Sequence, residues 1–196
     1  CPANITMPTT GGQCSRLVTY TTPTGTDNCP GPVTVNCVPA SGSTFPVGTT
    51  TVTCTAADGS PNSPDGTCTF TVTINDAQAP TVSCPANITQ PNTPGQCSGI
   101  VSFTTPVGVD NCPGPVAVVC LPASGSTFPV GATTVTCLAM DSAGNQGGCT
   151  FTVTIQDTQA PTVTCPANIT VTESSPGSGT ATVTYTVPTA SDNCPG

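Results

Sequence analysis

The segment CTFTVTI at residues 68–74 alternates apolar side chains with threonine along its whole length, and the same seven residues recur at 149–155. A second segment, TTVTCTAAD at 50–58, alternates in the same way. A period of two is typical of a β-strand that buries one face. Turn-forming stretches such as PASGS at 39–43 lie between the alternating segments, and no segment has helical periodicity. The sequence therefore predicts an all-β fold.

Three copies of one repeat make up the chain, since the hexapeptide CPANIT occurs at 1–6, 84–89 and 165–170. Six cysteines occur in the same order in each of the first two copies. The third copy reaches only SDNCPG, so we expect it to hold the first two strands of a repeat. We predict sandwiches over 1–76 and 84–157, linkers over 77–83 and 158–164, and an incomplete third repeat over 165–196. The third repeat is expected to be completed by further chain or by a neighbouring molecule.

Each predicted linker contains one proline, Pro80 or Pro161. Because proline fixes its own φ angle, the linkers are expected to act as semi-rigid spacers in an extended array.

Charge and cysteine content restrict the possible functions. The net charge is −8, Arg16 is the single basic residue, and there is no histidine. Nucleic acids and anionic membrane surfaces attract clustered basic residues, so neither is an expected partner. The chain has 14 cysteines but no CxxC pair, and no apolar run long enough to span a membrane. We therefore predict a disulfide framework in an extracellular protein, either secreted or at the cell surface.

The aromatic residues are expected to form the core. All of them fall at three positions of the repeat, which are Tyr20/Phe103/Tyr185, Phe45/Phe128 and Phe70/Phe151. A sandwich of about 80 residues buries a modest share of its surface, so disulfides are expected to supply much of its stability.

These motifs resemble the hyalin repeat (HYR) family, an Ig-like extracellular module found in tandem arrays. The resemblance rests on CPANIT, DNCPG, SGSTFPVGTTTVT and the CTFTVTI strand, and it covers essentially the whole chain. It implies tandem Ig-like or fibronectin-like β-sandwiches, with adhesive or structural roles rather than catalysis.

The strand pattern favours particular disulfides within a repeat. Cys37 and Cys54 lie on inward faces of strands expected to be neighbours, and the strands of Cys1 and Cys68 are expected to end near one pole. Elimination leaves Cys14 with Cys29, but the third repeat keeps Cys194 and has small polar residues around Ser178, where a counterpart of Cys14 belongs, so these partners stay open. The predicted set is Cys1–Cys68, Cys37–Cys54, Cys14–Cys29, Cys84–Cys149, Cys120–Cys137 and Cys97–Cys112.

Most acidic residues recur at fixed positions of the repeat, in loops expected to lie beside the preceding linker. The candidate metal ligands are Asp76, Asp110, Asn111, Asp141 and Asn145 at the first junction, and Asp157, Asp192 and Asn193 at the second. Carboxylate and amide oxygens suit Ca²⁺, which takes six to eight oxygen ligands. Alternatively, these side chains cap turns by bonding their own backbone.

Asn4, Asn87 and Asn168 each begin an Asn-Ile-Thr sequon. They are candidate glycosylation sites, or simply part of a strand sequence common to the repeats.

No catalytic set is present, because the chain lacks histidine and its carboxylates sit in repeated loops. We therefore expect a protein that is not an enzyme. One hypothesis is a stiff rod that self-associates or continues into a longer array to build a filament or surface layer. The alternative is an adhesive module that recognises glycans or a cell-surface receptor.

Overall fold

The computed structural model describes residues 1–28, 31–60 and 66–194. Those residues form sixteen β-strands and no helix, and the strands pair into sheets that pack as sandwiches. The predicted all-β, Ig-like fold is confirmed.

The first repeat is built from two sheets. Its strands are β1 (Ile5–Pro8), β2 (Ser15–Val18), β3 (Thr34–Val38), β4 (Ser43–Pro46), β5 (Gly48–Ala57) and β6 (Gly66–Asn75). One sheet has the order β1-β6-β5-β3, and β2 pairs with β4 in the other. Strand β1 runs parallel to β6, whereas β5 is antiparallel to both of its neighbours.

Alternation along β5 and β6 creates the core of the first repeat. Val52, Phe70, Val72 and Ile74 are buried, whereas the threonines between them are at least partly exposed. Phe45 of β4 is buried against them. The ring of Tyr20 packs edge-on to Phe70, with centroids 4.9 Å apart. The aromatic positions therefore lie in or against the core, as predicted.

The second repeat has the same arrangement. Its strands are β7 (Thr81–Val82), β8 (Ile88–Pro91), β9 (Ser98–Val101), β10 (Gly108–Val109), β11 (Ala117–Leu121), β12 (Ser126–Pro129), β13 (Gly131–Met140) and β14 (Gln146–Gln156). The larger sheet has the order β11-β13-β14-β8, and β9 pairs with β12. Phe128 and Phe151 are buried, and Phe103 packs edge-on to Phe151 with centroids 5.0 Å apart.

The stretches predicted as linkers also contain strands. Within 77–83, β7 pairs antiparallel with β10, and the Thr81 hydroxyl donates to the carbonyl of Val109 at 3.0 Å. Within 158–164, β15 (Thr162–Thr164) pairs with β16 (Thr189–Ser191) in the same way. The β-branched residues after each linker proline are thus part of the following repeat.

The third repeat differs from its prediction. Residues 165–188 contain no strand, and Tyr185, predicted as core, is 66% exposed. The equivalent Phe103 packs on Phe151 of β14, and residues 165–196 contain no counterpart of β13 or β14. Within residues 165–196, Tyr185 therefore has no counterpart of Phe151 to pack on.

The chain divides into two compact units. One comprises Cys1–Cys84, Thr105–Leu121 and Thr136–Cys149; the other comprises Pro85–Thr104, Pro122–Val135 and Thr150–Gly196. Residues of the second repeat fall in both units. The predicted domain boundaries therefore stay a prediction.

Candidate metal sites at the repeat junctions

Among the described residues, four disulfides lie within single repeats. Cys37 is directly opposite Cys54 in the β3–β5 pair, and Cys120 is directly opposite Cys137 in the β11–β13 pair. In both bonds the Cα atoms are 4.0 Å apart. The other two bonds, Cys1–Cys68 and Cys84–Cys149, have Cα separations of 5.7 Å. All four are the pairs favoured by the strand pattern.

Two further disulfides join successive repeats, which corrects the predicted pairs Cys14–Cys29 and Cys97–Cys112. Cys14 is bonded to Cys112, and Cys97 is bonded to Cys194, with Cα separations of 4.7 and 4.8 Å. Cys29 lies outside the described residues. The pairing of β7 with β10 places the loop of Cys112 beside the first repeat, where Cys14 directly precedes β2.

Cys165 stands at the position of Cys1 and Cys84. It is exposed and takes part in no disulfide within the described ranges. The counterpart of Cys68 and Cys149 does not occur in residues 165–196.

The residues before each loop cysteine form a compact turn. At the first junction, the Cys112 N–H donates to Oδ2 of Asp110 at 3.0 Å, and the Asn111 amide nitrogen lies 3.4 Å from the Cys112 sulfur. At the second junction, Asp192, Asn193 and Cys194 make the same two contacts at 2.9 and 3.3 Å. One carboxylate oxygen of each aspartate thus caps its own turn, as the alternative interpretation predicted.

Each turn also meets the aspartate that follows the last strand of the preceding repeat. Ligand atoms of Asp76, Asp110 and Cys112 all lie within 4.8 Å of one another, and so do those of Asp157, Asp192 and Cys194. Both cysteine sulfurs are in disulfides and are not thiolate ligands. What remains in each cluster is a pair of carboxylates. Each cluster lies inside one compact unit.

Buried oxygens without partners occur at both junctions. Oδ1 of Asp110, Oδ1 of Asn111 and Oδ1 of Asn193 are buried and accept no hydrogen bond within the described ranges. A buried acceptor without a partner lowers the stability of the folded state by about 1–3 kcal/mol, so a ligand that binds these atoms would be stabilising. A divalent cation with hard-oxygen preference fits this donor set.

Asp141 and Asn145 support the first cluster rather than joining it. Both oxygens of Asp141 accept bonds from Asn145, through its backbone N–H and its amide, each at 2.8–2.9 Å. The Asn145 amide also donates to the backbone carbonyl of Asp76 at 3.3 Å. Burial raises the pKa of Asp141, but the hydrogen bonds from Asn145, Ala143 and Gly144 outweigh it, so the pKa lies below its ordinary value.

The sequence reasoning missed several residues that hold the acidic segments. Gln78 Oε1 accepts a bond from the Gly12 N–H at 2.6 Å, and Gln159 Oε1 accepts one from the Gly95 N–H at 2.8 Å. Both glycines have φ 76°, which suits glycine in a tight turn. The recurrence of glutamine in AQAP at 77–80 and TQAP at 158–161 is the sequence signal that could have identified these residues.

Asn92 is a second missed residue. It is 7% exposed, and its amide donates to Asp157 Oδ1 at 3.2 Å and to the carbonyl of Gln96 at 2.9 Å. The first repeat has Thr9 at the equivalent position, so a comparison of the repeats marks Asn92 as a difference without revealing its contacts.

Two of the three sequon asparagines bond the neighbouring strand. Asn4 Oδ1 accepts from the N–H of Thr71 and Asn87 Oδ1 accepts from that of Thr152, both at 2.9 Å. These bonds use the oxygen and not the nitrogen that would carry a glycan. Asn168 lies in the strandless part of the third repeat and is exposed.

The family assignment follows from comparison with known proteins. The HYR domain model matches residues 1–74, 75–155 and 156–195. The chain belongs to the HYR family. Its HYR repeats are 40% identical to hyalin of Strongylocentrotus purpuratus over 192 residues, covering 96% of this chain and 16% of that protein. Hyalin of Lytechinus variegatus is 35% identical over 194 residues, covering 97% of this chain and 36% of that protein.

Solved structures that align with this chain include Drosophila N-cadherin EC1-4, at 11% identity and a TM-score of 0.42, covering 79% of this chain and 48% of that one. Mouse cadherin-23 EC22-24 aligns at 12% identity and a TM-score of 0.38, covering 83% of this chain and 66% of that one. Within the described parts of the chain, no helix has the length and apolar character needed to cross a membrane.

Proposed function

We propose that this chain is a segment of a non-catalytic extracellular structural protein, whose HYR repeats are stapled by disulfides into a stiff rod that builds a filament or surface layer. The observation that carries the proposal is the bonding of Cys14 to Cys112 and of Cys97 to Cys194, which joins successive repeats covalently. Disulfides persist in oxidising compartments, which supports a location outside the cell, secreted or surface-bound.

Electron microscopy and sedimentation of the oxidised chain over a range of concentrations test the structural role. Elongated assemblies with an axial repeat of one or two domains are expected. A compact monomer at every concentration would contradict it.

Self-association has a candidate surface in the third repeat. Apolar side chains there are 43–75% exposed, namely Ile169, Val171, Val183, Tyr185 and Val187. The counterparts of Ile169 and Val183 in the second repeat, Ile88 and Val101, lie in paired strands, so this segment would be covered by further chain of the same repeat or by a neighbouring molecule. Truncation after residue 164 should abolish concentration-dependent association if the neighbouring molecule covers it.

Calcium at the junctions is the second part of the proposal. The paired carboxylates Asp76/Asp110 and Asp157/Asp192 and the unpartnered oxygens beside them support it. Asp110, Asn111 and Asp76 would hold the ion at the first junction, and Asp157, Asp192 and Asn193 at the second. The bound ion would neutralise each carboxylate pair and fix the loop against the preceding repeat.

An adhesive role is the second candidate function, and one surface favours it. Val119 and Leu138 are directly opposite each other on the outward face of β11 and β13, and they are 61% and 54% exposed. The first repeat has Asn36 and Thr55 at these positions. The second repeat therefore carries an apolar surface that its sister lacks, and such patches mark interaction sites.

The variant Val119→Asn with Leu138→Thr converts this surface to that of the first repeat. Adhesion to glycan- or receptor-bearing cells should fall while thermal stability is retained. Unchanged adhesion would exclude this surface as the adhesive site.

Glycans at Asn4 and Asn87 would project from the same position of both repeats. Mass analysis of the native protein before and after N-glycosidase treatment tests their presence.

A further inference from the structure

The turn between β1 and β2, residues 9–14, contacts both acidic segments of the first junction. Its glycine, Gly12, donates its N–H to Oε1 of Gln78 at 2.6 Å, and the Gln78 N–H donates to Oδ1 of Asp76 at 3.1 Å. Its cysteine, Cys14, is bonded to Cys112, which ends the turn of Asp110 and Asn111. The turn between β1 and β2 therefore holds the segment of Asp76 by hydrogen bonds and the turn of Asp110 by a covalent bond.

The second junction repeats this arrangement with different residues. The Gly95 N–H donates to Gln159, whose own N–H donates to Oδ1 of Asp157 at 3.1 Å. Cys97 is bonded to Cys194. The Asn193 amide also donates to the carbonyl of Gln96, in the turn between β8 and β9, at 3.0 Å, while its Oδ1 has no partner among the described residues.

The loop cysteine restricts the side chains before it. The backbone N–H of Cys112 occupies Oδ2 of Asp110, and its sulfur lies 3.4 Å from the Asn111 amide nitrogen. The second carboxylate oxygen of Asp110 and the amide oxygen of Asn111 are the buried atoms without a partner in the described parts of the chain. Fixing Cys112 therefore also fixes the two oxygens that would face an ion.

We propose that the inter-repeat disulfides are positioning elements of the cation sites, so that cation affinity at each junction depends on the oxidation state of its own disulfide. This inference rests on the calcium sites proposed above. Reduction by a dithiol adds two electrons and two protons and leaves two thiols, after which the ligand turn is no longer covalently held to the preceding repeat. A turn that must be ordered on binding loses affinity.

The dependence is reciprocal. If the disulfide raises cation affinity, the bound cation must disfavour reduction of the disulfide by the same factor. Loss of groups that orient metal ligands commonly costs about 10–100-fold in affinity, and we expect an effect in this range.

Calcium titration by calorimetry of the oxidised chain provides the test. The variant Cys14→Ser with Cys112→Ser should lose about 10–100-fold in affinity at one site and keep the other. The variant Cys97→Ser with Cys194→Ser is the matched control, because it should do the opposite. If each double variant binds two calcium ions as tightly as the natural sequence, the disulfide proposal is wrong and the calcium sites stand. If the natural sequence binds none, both proposals are wrong.

A second measurement uses the natural sequence alone and does not depend on variants that fold. The chain is treated with dithiothreitol with and without calcium, and reduced cysteines are alkylated and mapped by mass spectrometry. Calcium should protect Cys14–Cys112 and Cys97–Cys194 but not Cys37–Cys54. If calcium leaves the extent of reduction of Cys14–Cys112 and Cys97–Cys194 unchanged, the inference is wrong.

Discussion

Cys14 and Cys112 are bonded across 98 residues of chain, with Cα atoms 4.7 Å apart, although each has a cysteine nearer in sequence. The bond joins the turn between β1 and β2 of one repeat to the ligand-bearing turn of the next. In the chain-entropy account, a disulfide closing about 100 residues stabilises the folded state by about 4.7 kcal/mol. That is a large fraction of the roughly 5–15 kcal/mol by which a domain is stable.

Disulfide mapping is the first prediction. Non-reducing proteolysis and mass spectrometry should recover a peptide pair containing Cys14 and Cys112, and another containing Cys97 and Cys194. Recovery of Cys14 linked to Cys29, or of Cys97 linked to Cys112, would contradict the inter-repeat arrangement.

Calcium is expected to raise the thermal midpoint by several degrees, since an ion at about 100 times its Kd stabilises the folded state by about 2.7 kcal/mol. Differential scanning calorimetry with calcium or with chelator measures this. Asp110→Asn removes one of the paired carboxylates of the first junction and should abolish the part of the shift that this junction contributes, while the second site is kept. Glu173→Gln makes the same charge change in the exposed third repeat and should leave the shift intact. If the thermal midpoint is the same with calcium and with chelator, the chain has no such site.

Acid should weaken the first junction through Asp141. Its pKa is lower in the folded chain than in the unfolded chain, where an aspartate titrates near about 3.9. The resulting stability is fully present above the unfolded pKa and is lost as pH falls through the folded pKa. Urea unfolding at pH 7 and pH 3 should show a smaller acid loss for Asp141→Asn than for the natural sequence. Equal losses would mean that the hydrogen bonds from Asn145 do not favour the charged form.

Gly147→Ala should destabilise the second repeat, whereas Gly66→Ala should not. The two glycines are equivalent in the repeat, but a Cβ at residue 147 would overlap the backbone carbonyl oxygen of Pro80. A Cβ at residue 66 would meet only Ala56, at 4.0 Å. We expect a loss of about 1–3 kcal/mol for the first variant in urea unfolding. Similar stability of the two variants would show that the close approach of Pro80 is absent.

Val52 and Tyr185 show when the local sequence pattern predicts burial and when it does not. The alternation around Val52 predicted a buried strand, and Val52 is fully buried. Tyr185 occupies a core position of the repeat but is exposed, because burial requires partner strands as well as the right residue. The acidic positions behave similarly: Asp76 and Asp110 were predicted to converge and do, whereas Asp141 is engaged within its own turn.

The sequence by itself determined the long strands of the first two repeats, their inward faces and the Cys37–Cys54 bond. A period of two sets the face of every side chain locally, and directly paired strands then bring matching positions together. Only the tertiary structure decided that Cys14 bonds Cys112, and which oxygens are left without partners. Because every repeat carries equivalent cysteines and acids, the sequence cannot distinguish a partner in the same copy from one in the next. The pairing of β7 with β10 makes that choice by placing the second repeat's loop beside the turn between β1 and β2 of the first repeat.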